Sequence, residues 1–110
     1  MKKFLDALQK KHRIKCIKWL KLLGDQGHEL RRPKADYLRD GIYEIRVRFS
    51  FENYRMLYFF HAGDSVVITH GITKHSGKVP PEEIEKALIL KRMYEEDPES
   101  HTYYWEPDNE

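Results

Sequence analysis

The sequence predicts an α+β domain in which an N-terminal helical hairpin packs on a small antiparallel sheet, with one further helix after the sheet. Three observations carry the prediction. Apolar residues recur at helical spacing over residues 4–23, side chains alternate in character over 42–49 ahead of two more strand-like runs, and Pro80-Pro81-Glu82-Glu83 reads as a helix start. With 110 residues, 40% of them hydrophobic, the chain supports one modest core. The expected domain spans residues 1–97, and 98–110 form an acidic, aromatic tail.

Phe4, Leu5 and Leu8 begin the helical spacing, and Ile14, Ile17, Leu20 and Leu23 continue it at steps of three. The pattern predicts two helices, or one long helix broken near residues 10–13. Lys11, Lys15, Lys18 and Lys21 fall mostly on the opposite face, and Gly24 is the expected C-terminal cap. Cys16 is the only cysteine, so it forms no internal disulfide, and its place on the apolar side predicts a small buried hydrophobe.

Residues 24–40 are polar and irregular and read as a loop, closed by a turn signal at Asp40-Gly41. In the strand that follows, Tyr43, Ile45, Val47 and Phe49 share one face, and Glu44, Arg46 and Arg48 share the other. The run 54–60 is apolar on both faces except for Arg55, which suits a central strand covered on both sides. Paired as a hairpin, the two strands bring Arg46, Arg48 and Arg55 onto one surface at the ~5 to 8 Å of cross-strand and diagonal neighbours. Such a cluster can grip a phosphate. Residues 65–73 complete a three-stranded meander, and the Gly77 and proline-containing loop leads into a helix with Ile84, Ala87, Leu88 and Tyr94 facing inward. The aromatic stretch at 102–105 suits addition to a sheet edge, or else a frayed terminus.

The net charge of +2 conceals a polarity along the chain. Residues 1–24 carry Lys2, Lys3, Lys10, Lys11, Arg13, Lys15, Lys18 and Lys21 against Asp6 alone, whereas the charges after Arg92 are all acidic. A basic body with an acidic tail is the footprint of a nucleic-acid or acidic-protein partner, although a charge run taken alone is more often a solvated face. Apolar runs fall far short of the roughly 18 residues that read as a membrane span, and the N-terminus lacks the pattern of a signal peptide. The expectation is a cytoplasmic protein with no membrane partner. His28, His61 and His101 lack ligand spacing, so neither a metal nor a cofactor is expected.

The order of parts, with strands of the form Gly-Ile-Tyr-Glu-Ile-Arg-Val-Arg and Tyr-Arg-Met-Leu-Tyr-Phe-Phe, a third strand ending in His-Gly, a lysine-rich turn with proline, and a helix beginning Glu-Glu-Ile-Glu-Lys-Ala, resembles the RelE superfamily of bacterial toxins. Within it the likeness is to the HigB-like, phage-derived branch, over about residues 4–94. The resemblance implies the toxin of a type II toxin–antitoxin pair: a ribosome-dependent, metal-independent endoribonuclease that cuts messenger RNA, blocks translation and is silenced by a helix-turn-helix antitoxin. An exposed sheet edge is also a site for pairing with another chain, so a homodimer or a toxin–antitoxin hetero-oligomer is the expected assembly. Carried over, the active-site positions are Arg46 and Arg48, then Arg55, then Lys74, His75 and Lys78. The chain departs from the family pattern in starting with a helix where members usually begin with a strand, and in its acidic aromatic C-terminus.

Cleaving RNA without a metal requires the 2′-hydroxyl to attack its own phosphate, with charge neutralised, one proton removed and another supplied. Arginine suits the charge role, but a pKa above ~12 makes it a poor base. Arg46, Arg48 and Arg55 are therefore expected to position and stabilise. His75 is the first candidate proton carrier, ahead of Lys74 and Lys78. Arg31, Arg32 and Lys34 are candidates for backbone phosphate contacts. The ordinary explanation for the strand arginines is solvation or pairing with Glu44 and Glu52, and for His70 a structural hydrogen bond. Arg55→Ala is expected to leave the protein folded. Two further functions compete: a ParE-like gyrase inhibitor, and a degenerate, non-catalytic protein that binds only antitoxin or RNA.

Overall fold

The computed structural model describes residues 2–63, 65–73 and 77–99. Helices α1 (Lys2–Ala7) and α2 (Lys10–Gln26) and a 3-10 turn (Gly27–Glu29) precede four strands, β1 (Ala35–Arg39), β2 (Ile42–Phe49), β3 (Glu52–His61) and β4 (Ser65–Thr73), and α3 (Pro81–Glu96) follows. The strands pair antiparallel in the order β1-β2-β3-β4.

The sheet has one strand more than the sequence predicts. β1 lies within the segment expected to be a loop, and two features hide it. Its inward residue Ala35 is small, while Tyr37 is half exposed at the sheet edge. A register shift between Tyr37 and Arg39 also interrupts the two-residue period. The Asp40-Gly41 signal does close a tight hairpin: both residues have positive φ, 51° and 84°, and Arg39 lies opposite Ile42. The helix break falls at Leu8-Gln9, ahead of residues 10–13. Leu8 N–H bonds to Leu5 O, and Gln9 is extended. α2 continues through Gly24 because the cap is Gly27, at φ 53°, whose N–H bonds to Leu23 O.

β3 is interior, and residues 54–59 are buried along its length, as a strand covered on both sides requires. On one face Tyr54, Met56 and Tyr58 pack with Ile45 and Val47 of β2 against Cys16, Ile17 and Leu23 of α2. On the other, Leu57 and Phe59 pack with Ile42 against Val79 and with Ile84 and Ala87 of α3. Pro81 occupies the first turn of α3 with Glu82 and Glu83, where a fixed φ and negative charge both suit a helix start. α1 seats on β4 at Gly71, where a Cβ would stand 2.5 Å from the Phe4 ring. Only glycine leaves room there. Among the described residues, no helix is long and apolar enough to cross a membrane. The expected edge segment at 102–105 lies outside the described residues.

Candidate functional site

The β2–β3 register sets Arg46 directly opposite Arg55 and Arg48 opposite Asn53. Directly opposed residues share a face, and this face is the one α3 covers in part. The two arginines are not bare. Glu44, 2% exposed, lies two residues before Arg46 on the same face. Its Oε1 accepts from Arg55 Nη1 at 2.7 Å, and its Oε2 accepts from Arg46 Nη2 at 3.0 Å and Nε at 3.3 Å. Arg55 Nη2 also donates to Gly77 O at 3.2 Å, which brings the loop before α3 over this end of β3. Arg46 Nη2 reaches Asp36 Oδ2 at 3.5 Å, and that carboxylate takes Arg32 Nε at 3.0 Å. The hydrogen bond from Arg32 holds the Asp36 carboxyl below its ordinary range. One buried carboxylate thus fixes two guanidiniums, so the expected pairing with Glu44 holds for Arg46 and extends to Arg55.

Beside this network the sheet edge opens. β1 pairs β2 only as far as Ile45, and Arg46 N–H makes the next bond, 2.7 Å to Lys34 O. A cleft of about 340 Å³ lies there, lined by Lys15 and Trp19 of α2, by Pro33 and Lys34, by Arg46 and Arg48 of β2, and by Asn53, Tyr54 and Arg55 of β3. Among the described residues, every charged one in that lining is cationic. Lys15 Nζ donates to Arg48 O, and Lys34 Nζ stands 4.8 Å from the centre of the Trp19 ring. A second, broader hollow of about 780 Å³ shares Lys15, Trp19 and Lys34 and continues along α2 past Lys11, Ile14, Lys18, Lys21 and Leu22 to Phe49 and Asp25. Concentrated positive charge on a concave surface attracts polyanions and raises their local concentration.

Of the residues singled out from sequence, Arg46, Arg48, Arg55 and Lys34 meet at the cleft. Arg31 is exposed and contributes its carbonyl to a turn, accepting from Lys34 N–H and Ala35 N–H. Arg32 is engaged with Asp36. Lys78 is exposed and follows the Gly77 that Arg55 holds. Lys74 and His75 lie outside the described residues. His70 has the structural role expected of it: Glu83 Oε1 stands 2.9 Å from Nε2 and Thr69 Oγ1 3.1 Å from Nδ1, while burial pushes its pKa down. Cys16 is fully buried and its thiol is pushed up to about 11 by desolvation, so it is no nucleophile.

Sequence reasoning missed Lys15, Trp19 and the central place of Glu44. The lysine stripe on α2 was the available signal, with Trp19 set among those lysines. His12 was also passed over. Its Nδ1 hydrogen-bonds the Tyr54 hydroxyl and its ring lies 4.3 Å from that of Phe49. Among the described residues, no group of three or more His, Cys, Asp or Glu gathers to hold a metal.

A family model described as phage derived protein Gp49-like (DUF891) matches residues 3–92. No curated protein matches the chain.

Proposed function

The chain belongs to the Gp49-like family of phage-derived proteins, a family generally associated with RelE-like toxins, and from that premise we propose that it is the toxin of a type II toxin–antitoxin pair, of the HigB-like branch, cutting messenger RNA on the ribosome. The observation that carries the reading is the edge cleft, whose charged lining among the described residues is cationic and includes Arg46, Arg48 and Arg55. In this mechanism Arg46 and Arg48 face the scissile phosphate and offset charge that builds on its oxygens as the 2′-hydroxyl attacks. Arg55 stands behind them as a fixed positive charge, oriented by Glu44 and Gly77. Lys15 and Lys34 flank the cleft and take neighbouring phosphates. The protons are carried by His75, or by Lys74 or Lys78. The cognate partner is a small helix-turn-helix antitoxin, and the site of action is the cytoplasm.

One observation favours a second reading, binding without cleavage. Arg46 and Arg55 already hold an anion, Glu44, and a guanidinium fork spent on a carboxylate has fewer donors for phosphate. Induced expression with mapping of transcript 5′ ends on translating ribosomes separates the readings. New cuts within translated codons that fade in Arg48→Ala and His75→Ala are the expected result. Growth arrest without cuts would point to the gyrase-inhibiting branch, and folded protein causing neither would leave the binding role.

A further inference from the structure

We infer that Trp19 is a stacking platform for a nucleobase of single-stranded RNA, set where the two basic hollows meet on α2. The inference deepens the functional reading above and rests on it for the class of ligand. Trp19 lines both hollows, and it is half-buried, with part of its ring packed on the core beneath α2. An aromatic ring anchored in this way presents its remaining face without ordering a flexible side chain on binding. Lys34 Nζ, 4.8 Å from the ring centre, marks that face as one that accepts a cation. A base stacking there takes the place of the Lys34 ammonium, which is then free to pair with a phosphate beside the ring.

The surroundings fit a chain of phosphates running past the ring. Arg46 and Arg48 lie in the narrower cleft, Lys15 lines both hollows, and Lys18 continues along α2 in the broader one. The cleft, at about 340 Å³, falls at the low end of pockets that hold small ligands, roughly 300 to 1,000 Å³. A cationic groove that follows a backbone, interrupted by an aromatic face, is how proteins hold single strands with little sequence preference. An acidic protein segment satisfies the cations but gives no reason for a flat, anchored ring among them.

The chain has two tryptophans, Trp19 and Trp105, so Trp105→Phe in the full chain leaves Trp19 as the sole reporter. Its fluorescence is titrated with a short 2′-O-methyl RNA, which cannot be cut, with an abasic strand of the same length, and with polyglutamate. Saturable quenching by the RNA alone is expected. Trp19→Leu is expected to weaken RNA binding about 5- to 100-fold with the salt dependence unchanged, because the phosphate contacts remain, and Trp19→Phe to retain most of the affinity. Equal binding of the abasic strand, equal quenching by polyglutamate, or full affinity in Trp19→Leu would overturn the platform. The uncleavable probe keeps the two readings apart. A protein that quenches but never cuts retains the platform and loses the nuclease, and one that cuts while Trp19 stays silent does the reverse.

Discussion

On the face of β3 that α1 and α2 cover, Tyr54, Met56 and Tyr58 meet Cys16, Ile17 and Leu23 in an apolar cluster, at whose margin the Tyr54 hydroxyl bonds His12. On the opposite face Arg55 stands in line with Leu57 and Phe59, and its charge is met by Glu44. The same strand therefore serves two kinds of interior. The first is held by area and shape, terms that many side chains can supply in part. The second depends on one buried carboxylate shared by two guanidiniums, of which Arg55 is buried with it while the part-exposed Arg46 also reaches Asp36. The contrast also locates the site: the ionic face ends at the open edge of β2, where its arginines meet Lys15 of α2 and Lys34.

The comparison is broken most directly by swapping one residue on each face without changing its volume. Glu44→Gln is expected to cost about 3 to 5 kcal/mol, because it leaves two guanidiniums facing a neutral group with Arg55 buried. Met56→Leu is expected to cost less than about 1.5 kcal/mol. Equal shifts in the denaturant midpoint would show that the two faces do not differ in kind. The same reasoning revises the expectation for Arg55→Ala. Arg55 is 9% exposed and paired to a buried acid, so its loss destabilises the fold, and loss of function in that variant is no measure of catalysis.

Next in size is Gly71→Ala on β4. The added methyl meets the Phe4 ring and must dislodge α1, at about 1 to 3 kcal/mol, measurable in the same unfolding experiment. A smaller effect on stability, within about 0.5 kcal/mol, is expected for the exposed Arg48→Ala. Its signature lies in binding: the slope of log affinity for single-stranded RNA against log salt should fall by about 0.7, the share of one phosphate. An unchanged slope would remove Arg48 from the interface.

The smallest effect is one of pH. On the ionic face, burial lowers the His70 pKa, and the nearby Lys86 adds to this against the raising pull of Glu83. The folded protein then binds that proton less readily than the unfolded chain, whose histidine titrates near 6.5. The sign follows: His70 contributes its full stability above about pH 6.5, and the contribution falls as pH drops through 6.5 towards the lower folded value. His70→Gln is expected to flatten that stretch of the stability profile. On the other face Cys16 and Tyr58, raised to about 11 and about 12, stay protonated and add no slope there.

What the sequence made legible follows the same division. The central strand covered on both sides could be read from residues 54–60, because burial on both faces leaves an apolar run, and the facing of Arg46 and Arg55 followed from placing two strands as a hairpin. β1 was hidden because an edge strand with a register shift has neither an apolar run nor clean alternation. Glu44 was set on a charged face by alternation, and correctly so. That the face would be covered depended on α3 and its loop, some forty residues further along. The cleft joins Lys15 and Trp19 to Arg48 across the helix–sheet boundary, a proximity that no local pattern encodes.

The shared carboxylate also constrains descent. A lineage that lost Glu44 first would hold a buried, unanswered arginine, and one that lost Arg55 first would weaken the answer to a buried acid. Drift through single steps is therefore costly at Glu44 and Arg55, the two buried members of the network. A descendant without the function proposed for the cleft should keep Glu44 and Arg55 long after the exposed lysines of α2 have changed, so the persistence of that buried pair records foldedness, and the fate of Lys15, Lys34 and Arg48 records use.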